Sequence, residues 1–210
     1  MKTSRSIVQN ALCSLALLAS CMPMCTQAES SVQTGAGANT ATARLDFRVT
    51  IPKVLFLQVG TGSTMGTNAT INLIDFSVPA ANVGDGSAVT ATPASGDLGN
   101  GTVTAKVIGN NGNVTLTATT LGSLGNGAGD TLSFSEISTA TTALSSPTPL
   151  PAPTLVDGAA SSVVIPAAGK VVNRDAKWTF SYLNTTSPAA GVYGGVNTNN
   201  SRVTYTASMP

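Results

Sequence analysis

The chain has 210 residues, of which 42% are hydrophobic, 4% aromatic and 9% charged, with ten Lys and Arg against nine Asp and Glu. That balance provides no basic stripe for nucleic acid and no acidic tail. With 0 His in the chain, the commonest general base and the commonest metal ligand are both missing.

Lys2 and Arg5 precede an apolar core, Ala11 to Met22, that is too short to span a bilayer comfortably. Thr26-Gln27-Ala28 supplies a small residue where a signal peptidase would cut, so residues 1–28 are expected to be a cleaved secretory signal peptide and the protein to be secreted across the inner membrane. A rival reading starts from Leu18-Ala19-Ser20-Cys21, which resembles a bacterial lipobox and would place a lipid anchor on Cys21. Cys13, Cys21 and Cys25 all lie in the leader. The mature chain therefore has no disulfide, thiolate metal site or cysteine nucleophile, and no cofactor is expected. Without Lys2 and Arg5 eight basic residues face nine acidic ones, so the mature domain is near neutral. No later apolar run approaches a transmembrane span, and what remains is long enough for one core.

Residues 29–40 are small and polar and read as a flexible N-terminal segment. From Ala41 the pattern changes. Ala41, Ala43, Leu45, Phe47, Val49 and Ile51 alternate with Thr42, Arg44, Asp46, Arg48 and Thr50, a period of two that predicts a strand with one buried face. Pro52 interrupts it, since Pro has no N–H to donate, and Val54 to Leu57 resumes as a run apolar on both faces. Ala69 to Val78 is the next expected strand, with a bulge at Leu73-Ile74 where the apolar phase shifts. A short strand is expected within Ser87 to Thr92.

Gly101 to Thr120 reads as a hairpin: Val103, Ala105 and Val107 alternate on one arm, Val114, Leu116 and Ala118 on the other, around a Gly109–Asn113 turn. Thr131 to Ile137 is expected to be a strand burying Leu132, Phe134 and Ile137. Ser138 to Asp157, with Pro147, Pro149, Pro151 and Pro153, is an extended connection. Ser161 to Pro166, Lys170 to Val172, Asp175 to Leu183 and Ser201 to Met209 complete the strands. No segment has a 3.6-residue apolar period, and the pattern predicts an all-β sandwich of seven to nine strands spanning residues 41–210 as one domain.

The carboxylates Asp46, Asp75, Asp85, Asp97, Asp130, Glu136, Asp157 and Asp175 are scattered, and most sit beside Gly or Asn, where turn formation explains them. No Asp-x-Asp-x-Asp run exists for calcium, and the Gly-rich stretches precede no helix that could bind phosphate. Trp178, Tyr182, Tyr193 and Tyr205 could stack a sugar if exposed, but period-two placement favours sheet and core. No catalysis is expected.

The closing residues carry a resemblance. Trp178-Thr179-Phe180-Ser181-Tyr182, then Ala190-Gly191-Val192-Tyr193, then Arg202 to Pro210 look like the end of bacterial fimbrial subunits, as do the leader and the Thr-, Gly- and Asn-rich body. The resemblance implies an immunoglobulin-like subunit lacking its final strand, supplied first by a periplasmic chaperone and then, after passage through an outer-membrane usher, by a neighbour's N-terminal segment. It implies a cell-surface or periplasmic location, a role in adhesion, and other copies of the chain or related subunits as partners. On this reading Ala43, Leu45, Phe47, Val49 and Ile51 form the donor or edge strand, and Val203, Tyr205, Ala207 and Met209 the partner edge. The alternative is a self-contained secreted or lipid-anchored β-sandwich that binds a ligand such as a glycan.

Overall fold

The computed structural model describes residues 29–210; the expected signal peptide and the Cys21 lipidation site lie outside them. The chain divides at Ile51/Pro52, and the β-structure belongs to the unit that begins at Pro52. Among the described residues there are ten strands and two 3-10 turns, Ala80–Asn82 and Phe134–Glu136. Three of the strands are two-residue pieces: β2 (Val89–Thr90), β5 (Leu124–Gly125) and β6 (Thr131–Leu132). The other seven build a two-sheet antiparallel β-sandwich. They are β1 (Leu55–Val59), β3 (Thr102–Gly109), β4 (Val114–Thr119), β7 (Ile137–Thr142), β8 (Ala160–Ile165), β9 (Val172–Tyr182) and β10 (Thr204–Ser208).

One sheet runs β1-β3-β9-β7, with β2 extending the β3 side of β9 through Val89 opposite Tyr182. The other runs β10-β4-β8, and every pairing in both is antiparallel. The inward residues follow the alternation in the sequence. Val103, Ala105 and Val107 on β3, with Ala176, Trp178 and Phe180 on β9, meet Val114 and Leu116 on β4 and Ile165 on β8 in one core. Trp178 and Tyr205 pack across the two sheets with ring centroids 5.4 Å apart and planes tilted by 49°.

Five expectations change, four of them within the unit that begins at Pro52. Gly101 to Thr120 is not a hairpin: β3 pairs with β1 and β9 while β4 pairs with β10 and β8. Its two arms face each other across the core rather than side by side, because both must bury an apolar face and the four-residue turn, 110–113, is long enough to cross between sheets about 10 Å apart. Ala69 to Val78 joins no ladder. It keeps one phase throughout, with Ile74, Phe76 and Val78 half-buried and Ile71 and Leu73 exposed, so there is no bulge. Its backbone bonds go instead to the turn after β2, Thr92 N–H to Asp75 and Gly96 N–H to Leu73. Thr131 to Ile137 is broken by the 3-10 turn at Phe134, whose preceding Ser133 accepts from the Ser135 N–H. Finally, β7 lies mostly in what reads as an extended connection, 138–157. As an edge strand of Ser and Thr with its last three residues exposed, it carries no apolar alternation to betray it.

Ala41 to Ile51 also departs from expectation. It belongs to no strand and its residues are exposed. The reason is physical: alternation creates a face to bury, but a strand exists only where a ladder partner accepts its N–H and C=O groups. Within its own unit, Arg44 makes a bidentate pair with Glu29 at 2.8 Å, which lowers the Glu29 pKa through the hydrogen bond.

Candidate functional site

The sandwich has two seams where sheet edges meet, and the chain treats them differently. At one, the β7 and β8 side, the Pro-rich connection runs into the core. Leu150 is 0% exposed and Pro153 is fully buried with it. The Trp178 indole N–H donates to the Leu150 carbonyl at 2.8 Å, and the Leu150 N–H donates to the Asp175 carbonyl at 3.1 Å. The turn leading in is fixed by the Asp175 carboxylate, which accepts from the Ser145 and Ser146 N–H groups at 2.8 and 2.7 Å and from the Ser145 hydroxyl at 2.6 Å. Burial works to raise the Asp175 pKa, but these hydrogen bonds outweigh it and hold the carboxyl well below the usual range.

The other seam, between β1 and β10, has no such insert. Each of these strands is the last in its sheet, with a ladder on one side only. Leu57 and Val59 from β1, and Tyr205, Ala207 and Met209 from β10 and its end, pack on the core but stay half-buried. Desolvation pushes the Tyr205 phenol well up, so it is neutral at any ordinary pH. Ala207 is the short side chain between two long ones: Tyr205 leans on Trp178, while Met209 sits beside Gly109 and Leu55.

The end of this seam is pinned. Asn110, in the β3–β4 turn, donates its side-chain amide to the Pro52 carbonyl at 2.7 Å, accepts the Val54 N–H at 2.8 Å, and donates its own N–H to the Val54 carbonyl at 3.3 Å. Asn111 donates to the Pro210 carbonyl at 2.6 Å, and Lys53 reaches the same oxygen. Thus β1 begins where β10 ends, and Pro52 to Val54 is held in line with β1.

Of the residues singled out from the sequence, Tyr205, Ala207 and Met209 line this seam, with half-buried Val203 just before β10. Leu45, Phe47, Val49 and Ile51 are 77%, 86%, 83% and 77% exposed, and Ala43 is exposed with them. Leu57, Val59 and Asn110 escaped notice: Val54 to Leu57 reads as apolar on both faces, and an Asn in a turn signals only a turn.

The polar residues serve the loops. Asp85 accepts from Ser87 N–H, Asp97 from Thr104 N–H, Asp157 from Phe134 N–H and Glu136 from Thr185 N–H. Among the described residues no three His, Cys, Asp or Glu converge. Trp178 is 0% exposed and Tyr182 is buried, so neither forms a platform for a sugar ring. No helix among the described residues is long and apolar enough to cross a membrane. No family model, curated protein or solved structure matches the chain.

Proposed function

We propose that this protein is a secreted structural subunit of a surface fibre, a fimbria-like polymer with a role in adhesion, whose subunits join by β-strand addition. One observation carries the reading: a sandwich whose β10 has a ladder on one side only, in a chain that also carries an exposed, alternating apolar segment with no ladder of its own. An added strand would satisfy the free backbone groups of β10 and complete the burial of Leu57, Val59, Tyr205, Ala207 and Met209. Export through the expected leader, a periplasmic chaperone to cover the seam before assembly and an outer-membrane usher follow from the same reading. The test is to export the full chain and follow its assembly by size and electron microscopy, then its thermal unfolding with and without a synthetic peptide of residues 41–51. Polymers, and a melting temperature raised by the peptide, are expected. A monomer that melts cooperatively and ignores the peptide sinks the proposal. A self-contained glycan-binding module has less support, because its best platform residue, Trp178, is enclosed.

A further inference from the structure

We infer that Asn126 is a site of self-modification: its side chain closes onto the Gly127 backbone nitrogen with loss of ammonia, and water opens the ring to leave a carboxylate at position 126. Three Asn residues of the chain precede Gly, namely Asn100, Asn111 and Asn126. Ring closure needs the next backbone nitrogen to reach the Asn Cγ. A side chain on that next residue stands in the way, and Gly has none. The structure separates the three pairs by the state of that nitrogen.

Gly101 is buried and its N–H donates to the Ser95 carbonyl at 2.9 Å. The Gly112 N–H donates to the Lys170 carbonyl at 2.9 Å. Each of these nitrogens must break a backbone bond before it can turn on the side chain before it. Gly127 is exposed, and its N–H has no acceptor among the described residues. The group it would attack is also prepared. The Asn126 Oδ1 accepts from the Ala128 N–H at 2.8 Å and the Asp130 N–H at 3.1 Å. Negative charge develops on that oxygen as the nitrogen adds, so donors already aimed at it favour the reaction. The Asp130 carboxylate accepts from Nδ2 at 2.7 Å and holds the amide with Oδ1 toward those donors. Asn111 instead donates Nδ2 to the Pro210 carbonyl at 2.6 Å, which ties it to the end of the chain.

In the first step the Gly127 nitrogen loses its proton and bonds to Asn126 Cγ. The Cγ–Nδ2 bond breaks, and Nδ2 takes up one proton and leaves as ammonia. The product is a five-membered succinimide. Water then adds to one of its two carbonyls and breaks that carbonyl's bond to nitrogen, giving aspartate or isoaspartate. The change falls on the residue that closes the β5–β6 loop, since the Asn126 N–H also donates to the Asp130 carbonyl at 3.1 Å. It sets a second carboxylate against Asp130 where an amide had donated. This loop is bonded to residues 194–199, through Gly125 N–H to the Asn199 carbonyl and Gly194 N–H to the Gly125 carbonyl. Modification at 126 therefore loosens the junction of the two loops.

The test incubates the full chain in mildly alkaline buffer, folded and in guanidinium, and follows all three Asn-Gly pairs by peptide mass mapping. In the folded chain Asn126 should convert about tenfold or more faster than Asn100 and Asn111, the factor that one retained hydrogen bond supplies. In guanidinium the three rates should converge, because Gly follows each Asn. A lead for Asn100 or Asn111 in the folded chain overturns the assignment. So does an Asn126 that stays intact when folded yet converts when unfolded. An equal preference for Asn126 in both samples removes the role of the fold. The consequence is read by limited proteolysis of Asn126→Asp, which should be cut faster within 121–130 than the unmodified chain at unchanged circular dichroism. Equal cutting refutes the loosening.

Discussion

Replacing Phe47 with Asp separates the two roles this residue can have. In the chain as it stands Phe47 is 86% exposed and lies outside the Pro52–Pro210 unit, so Phe47→Asp should change subunit stability by no more than about 0.5 kcal/mol, as for other exposed sites. In an assembled fibre the same side chain would be enclosed. Losing the burial of a Phe costs about 1.5–3 kcal/mol. Placing a carboxyl there adds the cost of desolvating it or of shifting its pKa until it is neutral, about 1–3 kcal/mol more even where partial compensation occurs. The sum runs from about 2.5 to 6 kcal/mol, and its middle, about 4 kcal/mol, weakens each junction more than about 100-fold. The assay pairs two measurements on one preparation: thermal unfolding of the isolated subunit, and sedimentation of polymer over a range of concentrations. Unchanged melting with polymer shifted to at least 100-fold higher concentration is the expected outcome. A fall in melting temperature comparable to that of a core substitution would make Phe47 ordinary core, and unaltered polymer would show that the segment plays no part in assembly.

Three more substitutions probe the frame that holds the seam. Leu150→Ala removes a fully enclosed side chain and the plug of the closed seam, and should cost about 2–5 kcal/mol in denaturant unfolding. Asp175→Asn should destabilise by about 1–3 kcal/mol at neutral pH, since it weakens the bonds from Ser145 and Ser146. It should also flatten the acid limb of the stability curve. The folded-state pKa is depressed, so this stabilisation is full above the unfolded value of about 3.9 and is lost as pH falls below it toward the folded value; wild type and variant should converge in strong acid. Asn184 is fully buried in the left-handed region at φ 57, accepting the Gly84 N–H and donating to the Asn82 carbonyl. Asn184→Ala should cost about 2 kcal/mol or more and open residues 79–88 to protease, with Asn184→Gly recovering the backbone part only.

Local alternation made the inward residues legible, because Val103 to Val107, Val114 to Ala118 and Trp178 to Tyr182 each announce a buried face in period two. Pairing was not legible. The β3 and β4 arms read as a hairpin since a Gly- and Asn-rich turn looks the same whether the chain folds beside itself or crosses to the opposite sheet. Strand β7 was hidden because an edge needs only backbone bonds, and Ser and Thr satisfy those without an apolar signature. The Pro-rich run reads as an extended connection, and nothing in Pro-Leu-Pro distinguishes a surface connection from a plug; that depends on the Asp175 turn and the Trp178 bond, both distant in sequence. Of the seam, Tyr205, Ala207 and Met209 were found from alternation, whereas β1's share and the Asn110 bracket come from tertiary contact alone.

The composition of β10 bears on why its edge is exposed. Soluble proteins guard sheet edges with Lys, Pro, bulges or covering loops, because an open ladder pairs with any strand that meets it. From Thr204 to Ser208 there is no charge and no Pro, and its outward residues Thr204, Thr206 and Ser208 suit a sheet surface as well as an edge. The opposite seam of the same sandwich is filled by a dedicated stretch of the chain's own sequence, so the fold can close a seam where closure is needed. Low net charge compounds the exposure, since only 9% of residues are charged and little long-range repulsion keeps copies apart. An unguarded edge, half-buried apolar residues beside it and weak repulsion are each a hazard in a monomer. Together with an exposed, alternating apolar segment at 41–51, they fit the proposal of a subunit completed by another chain.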